Sequence, residues 1–251
     1  MKKSKFTFTN AKNEELCALL EEPEGEISAW CLFAHCFTCG KDLRSATRIS
    51  RKLVENGIAV LRFDFTGLGS SEGDFSNTNF SSNLSDLISA VSVLREKYHA
   101  PALLVGHSLG GTAILSIAEK VPEAKAVVTI GSPGELTHLI RLFGDNVKDI
   151  EENGTYPVNL AGRIFTIKKQ MIDDLYNYRV TDRVFSMEKP VLILHSPTDD
   201  TVHIEQAEKI FAAAHHPKSF ISLANADHLL SKPEDADYVG DCIAAWCKWY
   251  I

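Results

Sequence analysis

Short apolar stretches alternate with amphipathic stretches along most of the chain. The apolar stretches predict buried strands over 29–34, 58–65, 102–108, 126–131, 190–196 and 219–224. Apolar side chains recur at helical spacing between them, which predicts helices over 42–56, 109–120, 203–214 and 236–250 and one that carries Leu84 to Leu94. This alternation is typical of parallel βαβ units with helices on both faces of the sheet. We therefore expect a single α/β domain over 1–251 with a mostly parallel sheet.

The N-terminal residues follow a different pattern. Residues 5–9 and 16–20 flank the turn-forming segment 10–13, which contains two asparagines. Two apolar runs around such a turn indicate a β-hairpin. We expect this antiparallel hairpin to precede the parallel part of the sheet.

Residues 132–188 interrupt the alternation after the sixth predicted strand. Two apolar stripes at helical spacing occur in this segment: Leu136, Leu139, Ile140, Leu142 and Phe143, then Ile167, Met171, Leu175 and Tyr178. Such stripes need an apolar surface to cover, and the carboxyl edge of the sheet is the nearest one. We expect a cap or lid insertion over 132–188, and the alternative is a flank packed away from that edge.

A nucleophile motif lies between a predicted strand and a predicted helix. Residues 106–110 read Gly-His-Ser-Leu-Gly and satisfy the pattern G-x-S-x-G. The glycines permit a tight turn that holds the serine in a strained conformation and exposes its hydroxyl above the sheet. This context favours Ser108 as a nucleophile over an incidental serine in a glycine-rich turn.

The partners of an activated serine are found later in the chain, each after a strand. Asp199 and Asp200 follow the strand over 190–196, and His228 follows the strand over 219–224. The order serine, acid, histidine along the chain is typical of enzymes whose nucleophile lies on such a strand–turn–helix motif, called the nucleophile elbow. His228 is therefore the expected general base. Asp199 lies four residues after His195 and three before Val202, which is the spacing in the pattern H-G-x-x-D-x-x-V. We therefore prefer Asp199 to Asp200 as the acid.

With these motifs the chain resembles the α/β-hydrolases over essentially its whole length. Two segments, LFAHCFTCGKDL (32–43) and RFDFTGLGSSEGDFSNTNFSSN (62–83), resemble the hydrolase domain found fused to OsmC-like domains, which is similar to S33 aminopeptidases and esterases. The chain ends after the last predicted helix, so we expect no second domain and consider an OsmC-like protein as a partner.

The resemblance implies a serine hydrolase without a cofactor, with Ser108, Asp199 and His228 as its triad. The implied reaction is cleavage of a carboxylic ester or similar acyl bond through an acyl-enzyme intermediate. Two alternatives remain: an amide or peptide hydrolase, and a binding partner of an OsmC-like protein without catalysis.

The segment His35-Cys36-Phe37 occupies the place of the loop that supplies an oxyanion donor in such enzymes. By position, the two donors are the backbone N–H groups of Phe37 and Leu109. Cys36 and Cys39 also suggest a redox dithiol or part of a zinc site. Since the loop already has a role, we expect both cysteines to be reduced, to pack in the loop and to be dispensable for the chemistry.

Composition excludes several other functions. The net charge is −7 and no basic cluster occurs, which argues against nucleic acid or an anionic membrane as a partner. The N-terminus lacks the apolar run of a signal peptide, and no apolar stretch is long enough to span a membrane. Six cysteines without an export signal favour reduced thiols and a cytoplasmic location. No motif for a metal, nucleotide or other cofactor is present.

Asp199 and Asp200 are distinguished by their amide variants. Asp199→Asn is expected to lower kcat by about 10⁴, as the wrong histidine tautomer does in triad enzymes. Asp200→Asn is the matched control and should keep most of the activity. The measurement is the steady-state hydrolysis of a p-nitrophenyl ester, and a large loss in Asp200→Asn alone would assign the acid to Asp200.

Overall fold

The computed structural model describes residues 1–160 and 162–251. Its strands are β1 (Lys2–Thr9), β2 (Glu15–Glu22), β3 (Ala29–Ala34), β4 (Ile58–Phe63), β5 (Leu103–His107), β6 (Ala126–Ile130), β7 (Thr155–Leu160), β8 (Arg163–Lys168), β9 (Val191–His195) and β10 (Lys218–Ser222). Its α-helices are α1 (Arg44–Glu55), α2 (Phe80–Lys97), α3 (Leu109–Ile117), α4 (Thr137–Phe143), α5 (Asn146–Asn153), α6 (Lys169–Asn177), α7 (Val180–Ser186), α8 (Glu205–Ala213) and α9 (Pro233–Cys247).

Eight of these strands form one mixed sheet in the order β1-β2-β4-β3-β5-β6-β9-β10. β1 pairs antiparallel with β2, and β2 pairs antiparallel with β4. The remaining neighbours are parallel, including β3 with β5 and β5 with β6. The predicted α/β fold, with an antiparallel N-terminal hairpin before a parallel sheet, is confirmed.

The sheet is buried on both faces because its central strands are apolar at nearly every position, and all six residues of β3 are apolar. In β3, Cys31 and Phe33 belong to the cluster formed with α1 and α9, whereas Leu32 belongs to the cluster formed with α2 and α3. Successive side chains of a strand point to opposite faces, so an uninterrupted apolar run is what a sheet between two helix layers requires.

The insertion after β6 contains α4, α5, the hairpin β7–β8, α6 and α7. Its buried apolar side chains are continuous with the core on the α2 and α3 face of the sheet. One part of the sequence interpretation is wrong: Ile167 lies in β8, and Tyr178 follows the end of α6. Only Met171 and Leu175 of that stripe share a helix, because the alternating stretch before them pairs as a hairpin.

A buried ion pair links the neighbouring strands β2 and β4 near the loop that follows β3. The guanidinium of Arg62 in β4 is 2.6 Å from the carboxylate of Glu21 in β2, and both side chains are buried. Arg62 also donates to the carbonyl of Lys41 and, at 2.9 Å, to the hydroxyl of Thr47. Since Lys41 follows the loop at 35–40, Arg62 holds the far end of that loop on the sheet.

Arg62→Met is expected to lower the free energy of unfolding by about 3–5 kcal/mol, because it leaves the Glu21 carboxylate buried without its guanidinium. Lys3→Met is the matched control, since Lys3 forms a 2.7 Å ion pair with the same carboxylate from an exposed position, and it should cost less than about 1 kcal/mol. Urea denaturation measures both. Equal losses in the two variants would contradict the role of Arg62.

Candidate active site

Ser108 lies at the turn between β5 and α3 in a strained backbone conformation. Its φ and ψ angles are 54° and −128°, a region that residues with a side chain rarely adopt. Its N–H donates to the carbonyl of Ile130 at 2.8 Å, which ties the turn to the end of β6. The turn therefore presents the Ser108 hydroxyl at the carboxyl edge of the sheet.

Two glycines make this turn possible. A Cβ atom at Gly106 would lie 2.4 Å from the carbonyl oxygen of Gly110, across the turn. A Cβ atom at Gly110 would lie 2.4 Å from the carbonyl oxygens of both Ala34 and His35. Since such contacts are too short for any side chain, the start of α3 packs directly against the end of β3.

The structure brings the three predicted catalytic side chains together. Nε2 of His228 is 3.0 Å from Oγ of Ser108, and Nδ1 of His228 is 2.7 Å from Oδ2 of Asp199. These distances suit a serine hydroxyl that donates to Nε2 and an Nδ1–H that donates to the carboxylate. The arrangement links a nucleophile, a base and a carboxylate that orients the base.

Asp199 is buried and Asp200 is exposed. The second carboxylate oxygen of Asp199 accepts the N–H groups of Thr201 at 3.0 Å and Val202 at 2.8 Å. Burial alone would raise the pKa of Asp199, but its hydrogen bonds and the charge of His228 lower that pKa below its ordinary value. Asp200 is instead hydrogen bonded to the hydroxyl of Thr201. The geometry therefore agrees with Asp199 as the partner of His228.

Two further histidines support the site through hydrogen bonds to the backbone. Nε2–H of His107 donates to the carbonyl of His228 at 2.7 Å, and Nε2–H of His195 donates to the carbonyl of Val202 at 2.7 Å. Burial, followed by the nearby charge of His228, lowers the pKa of His107 to about 3. His107 therefore stays neutral at physiological pH and keeps one ring N–H as a fixed donor.

The backbone N–H groups of Phe37 and Leu109 flank the elbow on the β3 loop and at the first residue of α3. Neither group has a hydrogen-bond acceptor among residues 1–160 and 162–251. His35 supports the β3 loop, because its Nδ1–H donates to the carbonyl of Cys36 at 2.8 Å. Burial lowers the pKa of His35, which favours this neutral form.

The expectation that Cys36 and Cys39 are reduced is wrong. The two residues form a disulfide that encloses Phe37 and Thr38, with their Cα atoms 5.4 Å apart. A turn closed by the N–H of Cys39 and the carbonyl of Cys36, 3.2 Å apart, brings the side chains together. The sequence spacing alone did not reveal this turn. The other four cysteines are free.

The insertion contacts the site at two places that the sequence did not indicate. The ring of Phe143 in α4 lies 6.5 Å from that of Phe37, measured between centroids. Nε2–H of His138, also in α4, donates to the carbonyl of Thr201 at 2.6 Å, in the loop that carries Asp199. Ser108 is 8% exposed. These contacts depend on tertiary packing, and no motif marks the residues that make them.

Within the described residues, no group of three or more histidine, cysteine or acidic side chains is arranged to hold a metal ion. No helix in this part of the chain is both long and apolar enough to cross a membrane.

The fold resembles that of solved esterase structures. The esterase domain of a protein from Rhodothermus marinus is 46% identical, with a TM-score of 0.82 over 100% of this chain and 99% of that one. The chain belongs to the α/β-hydrolase superfamily. The family model for serine aminopeptidase, S33, matches residues 28–150 of this hydrolase.

More distant relatives include thioesterases. The hydrolase is 24% identical to the mitochondrial palmitoyl-protein thioesterase ABHD10 of Rattus norvegicus over 93% of its own length and 80% of that protein. The match to the bovine ABHD10, at 25% identity, covers 71% of this chain and 60% of the bovine protein. The mouse ABHD10 structure is 20% identical with a TM-score of 0.81, over 98% of this chain and 99% of that one, and shows the shared fold. The chain is thus a hydrolase of a family with esterase and thioesterase members.

Proposed function

We propose that this hydrolase cleaves a carboxylic ester or thioester through the triad Ser108, His228 and Asp199. The observation that carries the proposal is the continuous set of contacts from Oγ of Ser108 to Nε2 of His228, 3.0 Å, and from Nδ1 of His228 to Asp199, 2.7 Å. A serine hydroxyl is a weak nucleophile until a base in hydrogen-bond reach accepts its proton.

The reaction follows from this geometry. As Ser108 attacks the acyl carbon, its proton passes to Nε2 of His228, and the carbonyl oxygen becomes an oxyanion. The N–H groups of Phe37 and Leu109 stabilise the oxyanion, helped at Leu109 by the N-terminal dipole of α3. His228 then gives the proton to the leaving alcohol or thiol, and Asp199 stabilises the imidazolium in between. Water activated by the same histidine releases the acyl group, and no cofactor takes part.

The proposed substrate class, an ester or thioester, is based on the activities of the similar proteins. The esterase domain from R. marinus covers the whole chain, and the ABHD10 proteins are palmitoyl-protein thioesterases. The S33 family model favours a second candidate, an amide or peptide bond, over the same serine chemistry. We further propose a cytoplasmic location, because four of the six cysteines are free thiols and the Cys36–Cys39 disulfide would there be of the transient, redox-sensing kind. An OsmC-like protein remains a proposed partner.

Ser108→Ala should abolish labelling by a fluorophosphonate probe and reduce ester hydrolysis by at least about 10⁴, the scale on which triad members act. Wild type and variant are compared on p-nitrophenyl esters and acyl thioesters of increasing chain length and on aminoacyl anilides. Circular dichroism checks that the variant stays folded. Faster cleavage of the anilides would favour the peptidase, and labelling that persists in Ser108→Ala would remove Ser108 as the nucleophile.

We propose that the insertion over 132–188 acts as a cap that selects the acyl group. Phe143 is fully buried and faces Phe37, whereas its neighbour Leu142 is 42% exposed. Phe143→Leu should therefore change KM and the preferred acyl length, and Leu142→Ala is the matched control on the same helix. Both should keep fluorophosphonate labelling of Ser108. A Phe143→Leu protein with reduced stability but an unchanged ester profile would show that the insertion does not select the substrate.

A further inference from the structure

The disulfide between Cys36 and Cys39 encloses the residue whose N–H we assign to the oxyanion hole. Only Phe37 and Thr38 lie between the two cysteines, so the S–S bond closes a small ring around the donor. The position of a backbone donor depends on the loop that carries it. A bond that closes this loop therefore acts on the catalytic geometry more directly than a bond elsewhere in the chain.

Both ends of the loop are fixed independently of the disulfide. His35 is buried, and its ring N–H donates to the carbonyl of Cys36 at 2.8 Å. Beyond the loop, the backbone N–H and the ammonium group of Lys41 donate to the buried carboxylate of Asp64 at 2.7 Å and 2.6 Å. The carbonyl of Gly40 also accepts the N–H of Leu43 at 3.1 Å. Opening the disulfide therefore leaves the stems in place and loosens residues 37–39.

The loosened segment is the part that contacts both the cap and the neighbouring turn. The ring of Phe37 lies 5.5 Å from that of Phe75 and 6.5 Å from that of Phe143, between centroids. Arg163 of the hairpin β7–β8 donates to the carbonyl of Thr38 at 3.3 Å. With the turn hydrogen bond from the N–H of Cys39 to the carbonyl of Cys36, 3.2 Å, these non-covalent contacts hold the segment less firmly than a covalent ring does.

The two cysteines of the pair differ in exposure. Cys36 is buried, but Cys39 is half-buried and lines a cavity of about 370 Å³ at the surface, beside Lys41 and Arg163. The cavity also contains the carboxylates of Asp42 and Asp64, which pair with Lys41 at 3.6 Å and 2.6 Å. Arg163 is therefore the cation that can favour the approach of a thiolate, which is the attacking species in disulfide exchange. We expect a reductant to approach the bond from this cavity, on the Cys39 side.

We propose that Cys36 and Cys39 form a thiol–disulfide exchange site for dithiol reductants and that their disulfide keeps the Phe37 N–H in place for catalysis. The second half of the proposal rests on the proposed function.

The dithiol reductant supplies the electrons and protons for the exchange. A thiolate of the dithiol attacks the Cys39 sulfur, the Cys36–Cys39 bond breaks, and the Cys36 thiolate takes up a proton. The second thiol of the reductant then attacks the mixed disulfide and releases Cys39 as a thiol. Two electrons and two protons pass to the protein, and the reductant leaves as a cyclic disulfide.

Reduction should lower kcat and leave KM nearly unchanged, because an oxyanion donor acts on the transition state more than on the bound substrate. Removal of one such donor costs about 10²–10³ in kcat. A donor that is loosened but retained should cost less, and we expect a decrease of about tenfold.

The test compares oxidised and dithiothreitol-reduced wild type by ester kinetics and by maleimide labelling with peptide mass spectrometry. We expect two added labels, at Cys36 and Cys39, a tenfold lower kcat, and recovery of both values after reoxidation with oxidised glutathione. The Cys36→Ser/Cys39→Ser protein should have the kcat of the reduced form with or without dithiothreitol. Cys39→Ser alone serves if the double variant does not fold. Cys242→Ser, which removes a free thiol of α9, should respond like wild type.

Absence of the two labels after reduction would overturn the exchange site. If both cysteines are labelled but the reduced form has a kcat equal to or higher than that of the oxidised form, the link between the disulfide and catalysis is overturned. If the oxidised wild type hydrolyses no ester faster than Ser108→Ala does, the proposed function fails. The number of maleimide labels then still decides whether Cys36 and Cys39 exchange.

Discussion

The close approach of α3 to the end of β3 is the contact on which the rest of the site depends. Gly110 permits it, since any side chain there would meet the carbonyl oxygens of Ala34 and His35. The contact brings the start of α3, with Leu109, beside the loop that carries Phe37, so that both residues line one small cavity. Their N–H groups are the oxyanion donors that we propose. It also explains why the strained conformation of Ser108 persists: the turn is held by packing on both sides.

Neutral histidines hold the two later loops in register with this elbow. His107 binds the carbonyl of His228, and His195 binds that of Val202, which follows the acid. Burial lowers the pKa of both histidines and so favours their neutral forms, in which Nε2 carries the proton donated to each carbonyl. His138 adds a third bond of this kind between the insertion and the acid loop. The arrangement of Ser108, His228 and Asp199 is thus held by contacts to the backbone as well as by contacts between the three side chains.

The sequence predicted those features that depend on local pattern. Strand and helix order followed from hydrophobic spacing, and Ser108, Asp199 and His228 followed from motifs placed after strands. It failed where tertiary packing decides: Ile167 fits a helical stripe but pairs in a hairpin, and Cys36 meets Cys39 because of a turn that the spacing alone does not reveal. The apolar stripe that contains Phe143 predicted a surface to cover, but the stripe did not identify Phe37 as the residue that Phe143 meets.

The central claim is that the β3 loop and the elbow together form an oxyanion hole around Ser108. The most direct measurement is a crystal structure of the protein with Ser108 phosphonylated, since the adduct places an oxygen where the oxyanion forms. We predict that this oxygen lies about 2.7–3.1 Å from the backbone nitrogen atoms of both Phe37 and Leu109. An adduct oxygen that points to solvent, or that binds other donors, would contradict the account.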